Sequence, residues 1–215
     1  MAIETATEIF NLAVPLVNDD NFDVDNAISF INKAQKEIAG LVLLPKLLEV
    51  DTTVLSVLAT AYASLPANFM RNLHYCYSNT HYRKIDIYKD VRLLYREFSQ
   101  LDLAGRVVGV ARKGALLYYQ RIPSAAETLR IHYYKYPTDL TVGTDKTACL
   151  PEFLVRPLLV NYVVKEALPA VGDNEKASLY EQKFMNAVNE LMRYVGPEPR
   201  EPQYIEDDVD LEGYL

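Results

Sequence analysis

Apolar residues recur with helical spacing over the first forty residues of the chain. This spacing predicts two amphipathic helices, one over residues 3–17 and a longer one that starts after Asp23, a suitable N-cap. Phe22, directly before that cap, is expected to pack against Ala27 as a hydrophobic staple. The apolar positions are Ile3, Ala6, Ile9, Ala13 and Val17 in the first helix, and Val24, Ala27, Ile28, Ile31, Ala34, Ile38 and Val42 in the second.

From about residue 47 the apolar period shortens to that of β-strands. Val50, Thr52 and Val54 alternate with other residues, and the chain then passes through Ala59–Ala63 to Leu65-Pro66. A second alternation follows Phe69, at Leu73, Tyr75 and Tyr77. Because β-branched and aromatic residues at such spacing suit a pleated surface, we expect several short strands here.

The middle of the chain predicts one short helix and three further strands. Asp90–Phe98 is expected to be helical, with Val91, Leu94 and Phe98 on one side. Arg106–Ala111 and Ala115–Arg121 predict a hairpin around Arg112-Lys113-Gly114, where glycine tolerates a positive φ. After Pro123-Ser124, the strand Thr128–Tyr136 should place Leu129, Ile131 and Tyr133 on one face.

Helical spacing returns at Pro151, a favoured first residue of a helix. Residues 153–164 are apolar almost all round, which predicts a helix enclosed on more than one side, and Pro157 within it predicts a kink or a late start. A last helix should end at Gly196-Pro197. Its apolar positions are Ala177, Tyr180, Phe184, Ala187, Val188, Leu191, Met192 and Val195.

These elements predict an α+β fold. The N-terminal helices of residues 1–46 and the C-terminal helices of residues 138–196 should form one helical bundle. A β-rich insertion over residues 47–137, resembling a small sandwich or barrel, should interrupt it. Residues 197–215 are expected to form an extended tail, because acids and prolines dominate this segment.

Composition adds limits on the type of protein. A chain of 215 residues can bury a sizeable core, and its sixteen tyrosines with no tryptophan suit both strands and protein interfaces. No apolar run approaches the ~20 residues of a membrane span, and Glu4 and Glu8 replace the basic start of a signal peptide. Cys76 and Cys149 are expected to be reduced thiols of a protein made in the cytoplasm.

The negative charge is concentrated in the predicted tail. Residues 197–215 contain seven acids and only Arg200 as a base, so they carry six of the seven net negative charges of the chain. Apolar side chains lie between these acids, at Tyr204, Ile205, Val209, Leu211, Tyr214 and Leu215. Since segments that fold on a partner need such anchors, the tail is expected to bind another protein.

No pattern in the sequence indicates an enzyme, a cofactor or a metal site. His74, Cys76 and His81 lie close together, and His74 and Cys76 should share a strand face, but a structural zinc site needs four grouped ligands. No nucleophile elbow and no phosphate-binding glycine loop are present. The expectation is a protein with no catalytic residues, no cofactor and no bound metal.

The basic residues leave one alternative open. Arg71, Arg83-Lys84 and Arg112-Lys113 lie among Tyr75, Tyr77 and Tyr82, a combination found on nucleic-acid-binding surfaces. The favoured interpretation is that they are surface charges of the insertion. A nucleic-acid-binding module using these strands remains the alternative.

The order of several segments resembles the head-to-tail adaptor (connector) proteins of tailed bacteriophages. The similarity extends over about residues 57–196. It rests on Leu65–Arg71, Leu117–Tyr119, Ile122–Ala125, Leu129–Pro137 and Leu150–Phe153, followed by the last helix with Ala177, Tyr180, Phe184 and Leu191.

The resemblance implies a structural protein of the virion neck, made in the host cytoplasm. Such adaptors form a ring, usually a dodecamer, that joins the portal protein to the tail and lines the channel for genomic DNA. Expected partners are other copies of the chain, the portal, a tail or stopper (nozzle) protein, and DNA passing without sequence-specific binding, but no membrane. A tail terminator or tail-tube ring protein is the alternative within structural proteins.

Two sets of contact residues follow from this interpretation. Tyr204, Ile205, Val209, Leu211, Tyr214 and Leu215 are expected to bind the portal. Phe153, Leu158, Tyr162, Tyr180, Phe184 and Leu191 are expected to form the ring or bundle interface.

Overall fold

A computed structural model describes residues 4–98, 100 and 102–196 of the chain. Its helices and β-sheets confirm the predicted α+β class. The described residues divide into two units. The helical unit comprises residues up to Leu47 together with those from Tyr136 onward, and the β unit comprises Leu48–Lys135. The predicted tail, residues 197–215, lies outside the described part of the chain.

The first two helices of the helical unit begin at polar caps. Helix α1 (Ala6–Val17) starts after Thr5, whose hydroxyl accepts from the Glu8 amide at 3.2 Å while the Glu8 carboxylate accepts from the Thr5 amide at 2.6 Å. Helix α2 (Val24–Leu41) starts at the predicted cap Asp23, whose carboxylate accepts from the Asn26 amide at 2.8 Å. These bonds satisfy donors that have no partner within the helix.

Helix α4 (Glu152–Ala167) lies against α1, α2 and the last helix, α5 (Asn174–Val195). Its buried residues lie on several sides, which confirms the predicted enclosure. Pro151 is the N-cap rather than the first helical residue, and a late start at Pro157 is wrong because the helix begins at Glu152. A kink at Pro157 stays a prediction. A short 3₁₀ turn, Leu168–Val171, joins the two helices, and α5 ends at Gly196 as predicted.

The segment between Tyr136 and α4 is fixed to the first two helices by polar contacts. The Asn32 side chain on α2 donates to the Leu140 carbonyl at 3.0 Å and accepts from the Leu140 amide at 2.8 Å. The Gly143 carbonyl accepts from the Thr7 amide at 2.8 Å. A Cβ at position 143 would lie 2.3 Å from the Thr7 hydroxyl oxygen, so this approach requires glycine.

The β unit contains two four-stranded sheets and a small pair of strands. The strands are β1 (Leu48–Leu55), β2 (Tyr62–Ser64), β3 (Phe69–Ser78), β4 (Arg83–Lys84), β5 (Asp86–Tyr88), β6 (Ala104–Gly105), β7 (Gly109–Lys113), β8 (Leu116–Gln120), β9 (Ile122–Pro123) and β10 (Thr128–Lys135). The first sheet has the order β1-β10-β3-β4 and is antiparallel throughout. The second has the order β2-β8-β7-β5, with β5 and β7 parallel.

Side chains of both four-stranded sheets share one apolar core. Leu129, Ile131 and Tyr133 on β10 are buried together, as predicted, and they meet Val110 and Tyr119 of the second sheet in the same cluster. The predicted hairpin is β7–β8, with Gly114 at a φ of +61° in the turn. Arg112 and Lys113 belong to β7 rather than to the turn. The arrangement is a small sandwich.

Helix α3 (Val91–Glu97) packs on the second sheet. Asp90 caps it, and Leu94 is buried in a small cluster with Tyr88 and Ala111. Gly109 allows this approach, because a Cβ there would lie 2.7 Å from the Tyr88 ring and 3.1 Å from Leu94.

An irregularity in β3 changes which of its residues face the core. Tyr75 pairs with His132 and Arg71 pairs with Tyr134, so Asn72, Leu73 and His74 lie opposite Tyr133 alone. Such a bulge shifts the alternation of side chains along the strand. Leu73 and Cys76 are therefore buried in the core, whereas Tyr75 and Tyr77 are only partly buried.

Candidate interaction surfaces

The outer side of the first sheet carries a group of aromatic and apolar side chains. Strand pairing aligns Val50, His132 and Tyr75 in one row, and Leu48 with Tyr134 in the next. Val50 and Leu48 are 49% and 42% exposed. We call this set, with the neighbouring Tyr77, the aromatic face: Leu48, Val50, Tyr75, Tyr77, His132 and Tyr134. Tyr134 is its buried member, with 7% of its surface exposed.

Ring contacts hold the aromatic face together. Tyr75 lies 4.7 Å from His132 and 6.3 Å from Tyr77, measured between ring centroids. The ring of His74 adds contacts to His132 at 5.8 Å and to Tyr134 at 6.1 Å. Aromatic pairs at these separations are attractive beyond the area they bury, so the rings are held in place before any partner arrives.

His132 is the titratable group at the centre of this face. Burial lowers its pKa below the usual histidine value, and the nearby His74 and Arg130 lower it further. The neutral ring is therefore favoured near neutral pH. In that form it adds an apolar, uncharged surface to the aromatic face.

A second exposed aromatic contact joins helices α4 and α5. Phe153 at the start of α4 and Tyr194 at the end of α5 meet edge to face with centroids 5.0 Å apart. Phe153 is 53% exposed and Tyr194 is 62% exposed. We call these residues the helix-end pair. Large rings that stay exposed after pairing are typical of protein interfaces.

The structure separates Phe153 from the other predicted ring or bundle residues. Phe153 is accessible, whereas the other five are buried inside the helical unit: Leu158, Tyr162, Tyr180, Phe184 and Leu191. Their burial assigns them to the packing of α4 and α5. That any of them contacts a neighbouring subunit stays a prediction.

Tyr162 is the best-connected member of this buried set. Its hydroxyl donates to the Glu37 carboxylate at 2.7 Å, and its ring meets Phe184 edge to face at 5.0 Å. The Lys165 ammonium lies 4.5 Å from the Tyr162 ring centroid and 4.0 Å from a Glu37 oxygen. Burial raises the pKa of the Tyr162 hydroxyl, and the hydrogen bond to Glu37 raises it further. These contacts give the group a structural role.

Three basic side chains surround a cavity of about 290 Å³ in the β unit. Arg71 comes from β3, Lys89 follows β5, and Arg112 comes from β7. We call it the basic cavity, and its lining residues are Arg71, Asn72, Leu73, Ile87, Tyr88, Lys89 and Arg112. No acidic residue is among them. Arg71 and Arg112 belong to the basic clusters predicted from the sequence, whereas Lys89 was not predicted, and the fold brings it to the same cavity.

The remaining predicted basic cluster lies elsewhere in the β unit. Arg83 and Lys84 form the short strand β4, and the Arg83 guanidinium donates to the Val107 carbonyl. Tyr82 before them is 83% exposed. Arg83 is thus partly committed to a backbone contact and does not line the basic cavity.

Glu127 forms a buried polar junction that the sequence did not indicate. Its carboxylate accepts from the Val107 amide at 3.0 Å and from the Ser78 hydroxyl at 3.1 Å, and His81 Nε2 lies 3.5 Å away. Its amide donates to the Ser56 hydroxyl at 2.9 Å. The hydrogen bonds to the Glu127 carboxylate offset the free-energy cost of burying it. It therefore connects four segments of the β unit.

The residues considered for metal binding and thiol chemistry are not assembled into a site. Cys76 is in the core while the His74 ring lies with the aromatic face, so the expectation that they share a strand face is wrong because of the β3 bulge. Within the residues described, no group of three or more potential ligands is placed to hold a metal ion. Burial raises the pKa of the Cys76 thiol to about 12, and burial also raises that of Cys149. No described helix is long and apolar enough to cross a membrane.

The predicted portal-binding residues cannot be placed on a surface. Tyr204, Ile205, Val209, Leu211, Tyr214 and Leu215 all lie outside the described residues. Their assignment to a partner stays a prediction.

Comparison with known families gives a match over nearly the whole chain. A family model described as SU10 adaptor protein matches residues 4–203, which include both the helical unit and the β unit. No curated protein matches the chain.

Proposed function

Because the chain belongs to the SU10 adaptor protein family, whose members are bacteriophage structural adaptors, we propose that it is a head-to-tail adaptor of the virion neck. In this proposal copies of the chain form a ring, of twelve subunits, beneath the portal vertex of the capsid. The ring joins the portal to the next tail component and surrounds the path of the genomic DNA. The observation that supports the proposal is the family match over residues 4–203.

The exposed aromatic groups suit the contacts that a ring needs. A closed ring requires two different surfaces on each subunit, because the contact repeats by rotation rather than by exchange of identical patches. The aromatic face and the helix-end pair are two such surfaces of unlike composition. We propose that each takes part in a contact with a neighbouring subunit or with an adjoining virion protein.

The charge of the protein suits a channel through which DNA passes. Outside residues 197–215 the chain has a net charge of about −1, since six of its seven net negative charges belong to that segment. DNA affinity grows with the number of cations that replace phosphate counterions. A nearly neutral body would let DNA pass without holding it, and sequence-specific binding is not part of the proposed function.

The C-terminal segment is proposed to fasten the ring to the portal. Its acids are interleaved with the apolar residues Tyr204, Ile205, Val209, Leu211, Tyr214 and Leu215. Such a segment gains binding energy by ordering on a preformed surface, with apolar anchors giving affinity and charges giving orientation. The function is proposed to involve assembly only, without catalysis.

Electron microscopy of the protein mixed with its portal tests this proposal. The full-length chain is expected to form rings on the portal, and a chain ending at Gly196 should form fewer portal complexes. Absence of any ring on the portal with the full-length chain would reject the adaptor function. Equal portal docking by both chains would reject only the role of residues 197–215.

Strong DNA binding by the isolated protein would favour the alternative function. The readout is retention of labelled duplex DNA as the salt concentration rises, since a phosphate-binding surface loses affinity steeply with salt. We expect weak retention at physiological salt.

A further inference from the structure

Two of the three cations that line the basic cavity have no anionic partner among the described residues. Lys89 and Arg112 line it beside Arg71, and neither Lys89 nor Arg112 forms an ion pair within that part of the chain. By contrast, Lys135 in the same unit lies 2.6 Å from Glu49. Placing cations together without acids is unfavourable unless a negative group joins them. We propose that the basic cavity binds the acidic C-terminal segment of this chain, residues 197–215.

Charge complementarity favours this segment as the occupant. Seven acids in nineteen residues give it six of the seven net negative charges of the protein. Arginine binds carboxylates through two parallel hydrogen bonds, and such charge-assisted pairs are about twice as strong as neutral ones. Arg112 can offer this arrangement, while Lys89 supplies a point charge.

The apolar part of the lining matches the apolar part of the segment. Leu73, Ile87 and Tyr88 line the cavity beside the cations, and the Arg112 guanidinium lies 5.3 Å from the centroid of the Phe69 ring. In the stretch from Tyr204 to Leu211, three consecutive acids separate Ile205 from Val209, and Asp210 follows Val209. One short stretch can therefore present a carboxylate and an aliphatic side chain to the same cavity.

The size of the cavity argues against the phosphates of duplex DNA as the occupant. A volume of about 290 Å³ holds a few side chains, whereas a duplex is bound along a row of cations that follows its backbone. The other three predicted basic residues, Arg83, Lys84 and Lys113, are not part of the lining. An acidic peptide needs only a compact site.

The length of the segment allows it to reach a site away from its own attachment. Nineteen extended residues span at most about 65 Å. The basic cavity that binds the segment can belong to the same copy of the chain or to an adjacent copy, and the proposal covers both cases. Because the same anchors are proposed to bind the portal, the cavity is proposed to hold the segment while the protein is free of the portal, and the test needs no portal.

Photo-crosslinking in the full-length protein tests the proposal directly. Tyr204→p-benzoylphenylalanine and, separately, Tyr214→p-benzoylphenylalanine place the probe within the segment. Mass spectrometry of the illuminated protein is expected to find cross-links in the peptides that contain residues 71–73, 87–89 and 112. The mass of the cross-linked product distinguishes binding in the cavity of the same copy from binding in the cavity of a neighbouring copy.

Charge reversal provides the matched control. Lys89→Glu with Arg112→Glu should lower the cross-link yield on the order of tenfold, because two charge-assisted contacts become repulsive. Lys84→Glu with Lys113→Glu changes the net charge equally at exposed residues outside the lining and should leave the yield unchanged. Adding Asp207→Lys and Asp208→Lys to the first pair should restore the cross-links, which excludes misfolding as the cause of their loss.

Three results would overturn the proposal. Cross-links confined to other parts of the chain would place the segment elsewhere. An equal loss of cross-links in the Lys84 and Lys113 variant would show that net charge, rather than the basic cavity, causes the effect. Unchanged cross-links in the Lys89 and Arg112 variant, together with a loss of salt-sensitive DNA retention, would assign the cavity to phosphates.

Discussion

The helical unit and the β unit use similar residues in opposite ways. In the helical unit, Tyr162 and Phe184 are fully buried, and Lys165 lies beside the carboxylates of Glu37 and Glu166. In the β unit, Tyr75 and Tyr77 remain partly exposed on the aromatic face, and Lys89 lies on a cavity without acids. Tyr162, Phe184 and Lys165 contact one another in the helical unit, whereas Tyr75, Tyr77 and Lys89 of the β unit remain accessible to a partner.

This difference indicates where stability and where recognition reside. Burial of a ring stabilises the fold in proportion to the area removed from water, so the buried rings of α4 and α5 contribute to folding. A ring that stays exposed has contributed little to folding and can still be buried against another protein. The helix-end pair shows the same distinction within one unit, because its rings are exposed whereas Tyr162 and Phe184 on the same two helices are buried.

The largest expected effect is on the interior of the helical unit. Phe184→Ala removes a fully buried ring that meets Tyr162 edge to face, and should lower the free energy of unfolding by about 3–5 kcal/mol. Tyr194→Ala on the same helix is the control, since a 62% exposed ring should cost less than about 1 kcal/mol. Chemical denaturation followed by circular dichroism measures both. Similar costs for the two variants would contradict the division into interior and exposed rings.

The polar junction of the β unit should give the next largest effect. Glu127→Ala leaves the Val107 amide and the Ser78 hydroxyl without their acceptor, at a cost of about 2–4 kcal/mol. Glu49→Ala breaks a partly exposed ion pair with Lys135 and should cost less than about 1 kcal/mol. Loss of exchange protection at the Val107 amide identifies the cause. If the Glu127 variant is as stable as the Glu49 variant, the junction has no structural role.

The helical part of the fold was accessible from the sequence because helix signals are local. The Asp23 cap and the Gly196 end lie where the pattern places them, and the helix predicted over Asp90–Phe98 is observed at Val91–Glu97. The apolar residues of α5 from Tyr180 to Leu191 are buried, as their spacing of three and four residues requires. Pro151 and Pro157 were less informative, since a proline near a helix start is compatible with more than one boundary.

The β unit and its surfaces depended on contacts that no local pattern records. Arg71 and Tyr75 lie four residues apart on β3 but pair with residues only two apart on β10, and this difference is the β3 bulge. The bulge is a property of the strand pairing, so the sequence of β3 alone does not reveal it. It places Leu73 and Cys76, three residues apart, in the core and leaves Tyr75 partly exposed, against the simple alternation. Glu127 and Lys89 were missed for the same reason. A single acid or lysine in a strand region carries no signal until its neighbours in space are known.

Assembly and stability should respond separately to changes on the exposed surfaces. Val50→Lys on the aromatic face and Phe153→Ser in the helix-end pair each replace an apolar side chain about half exposed. Each should change the free energy of unfolding by less than about 1 kcal/mol and yet reduce ring formation on the portal. Leu179→Ser, at a residue 49% exposed on α5 and outside both surfaces, is the matched control. Normal rings from both variants would show that neither surface is a contact.

The smallest expected effect is the titration of His132. Burial is the main cause of its low pKa, so the folded protein binds fewer protons than the unfolded chain as the pH falls through the usual histidine pKa of about 6.5. The free energy of unfolding should therefore decrease over that range and down to the folded-state pKa, and His132→Gln should weaken the decrease. Because Arg130 contributes less than burial, Arg130→Gln should raise the pKa measured by NMR only part of the way toward its usual value. Full recovery in that variant would mean that charge rather than burial controls this ring, and the aromatic face would then be more hydrated than its packing indicates.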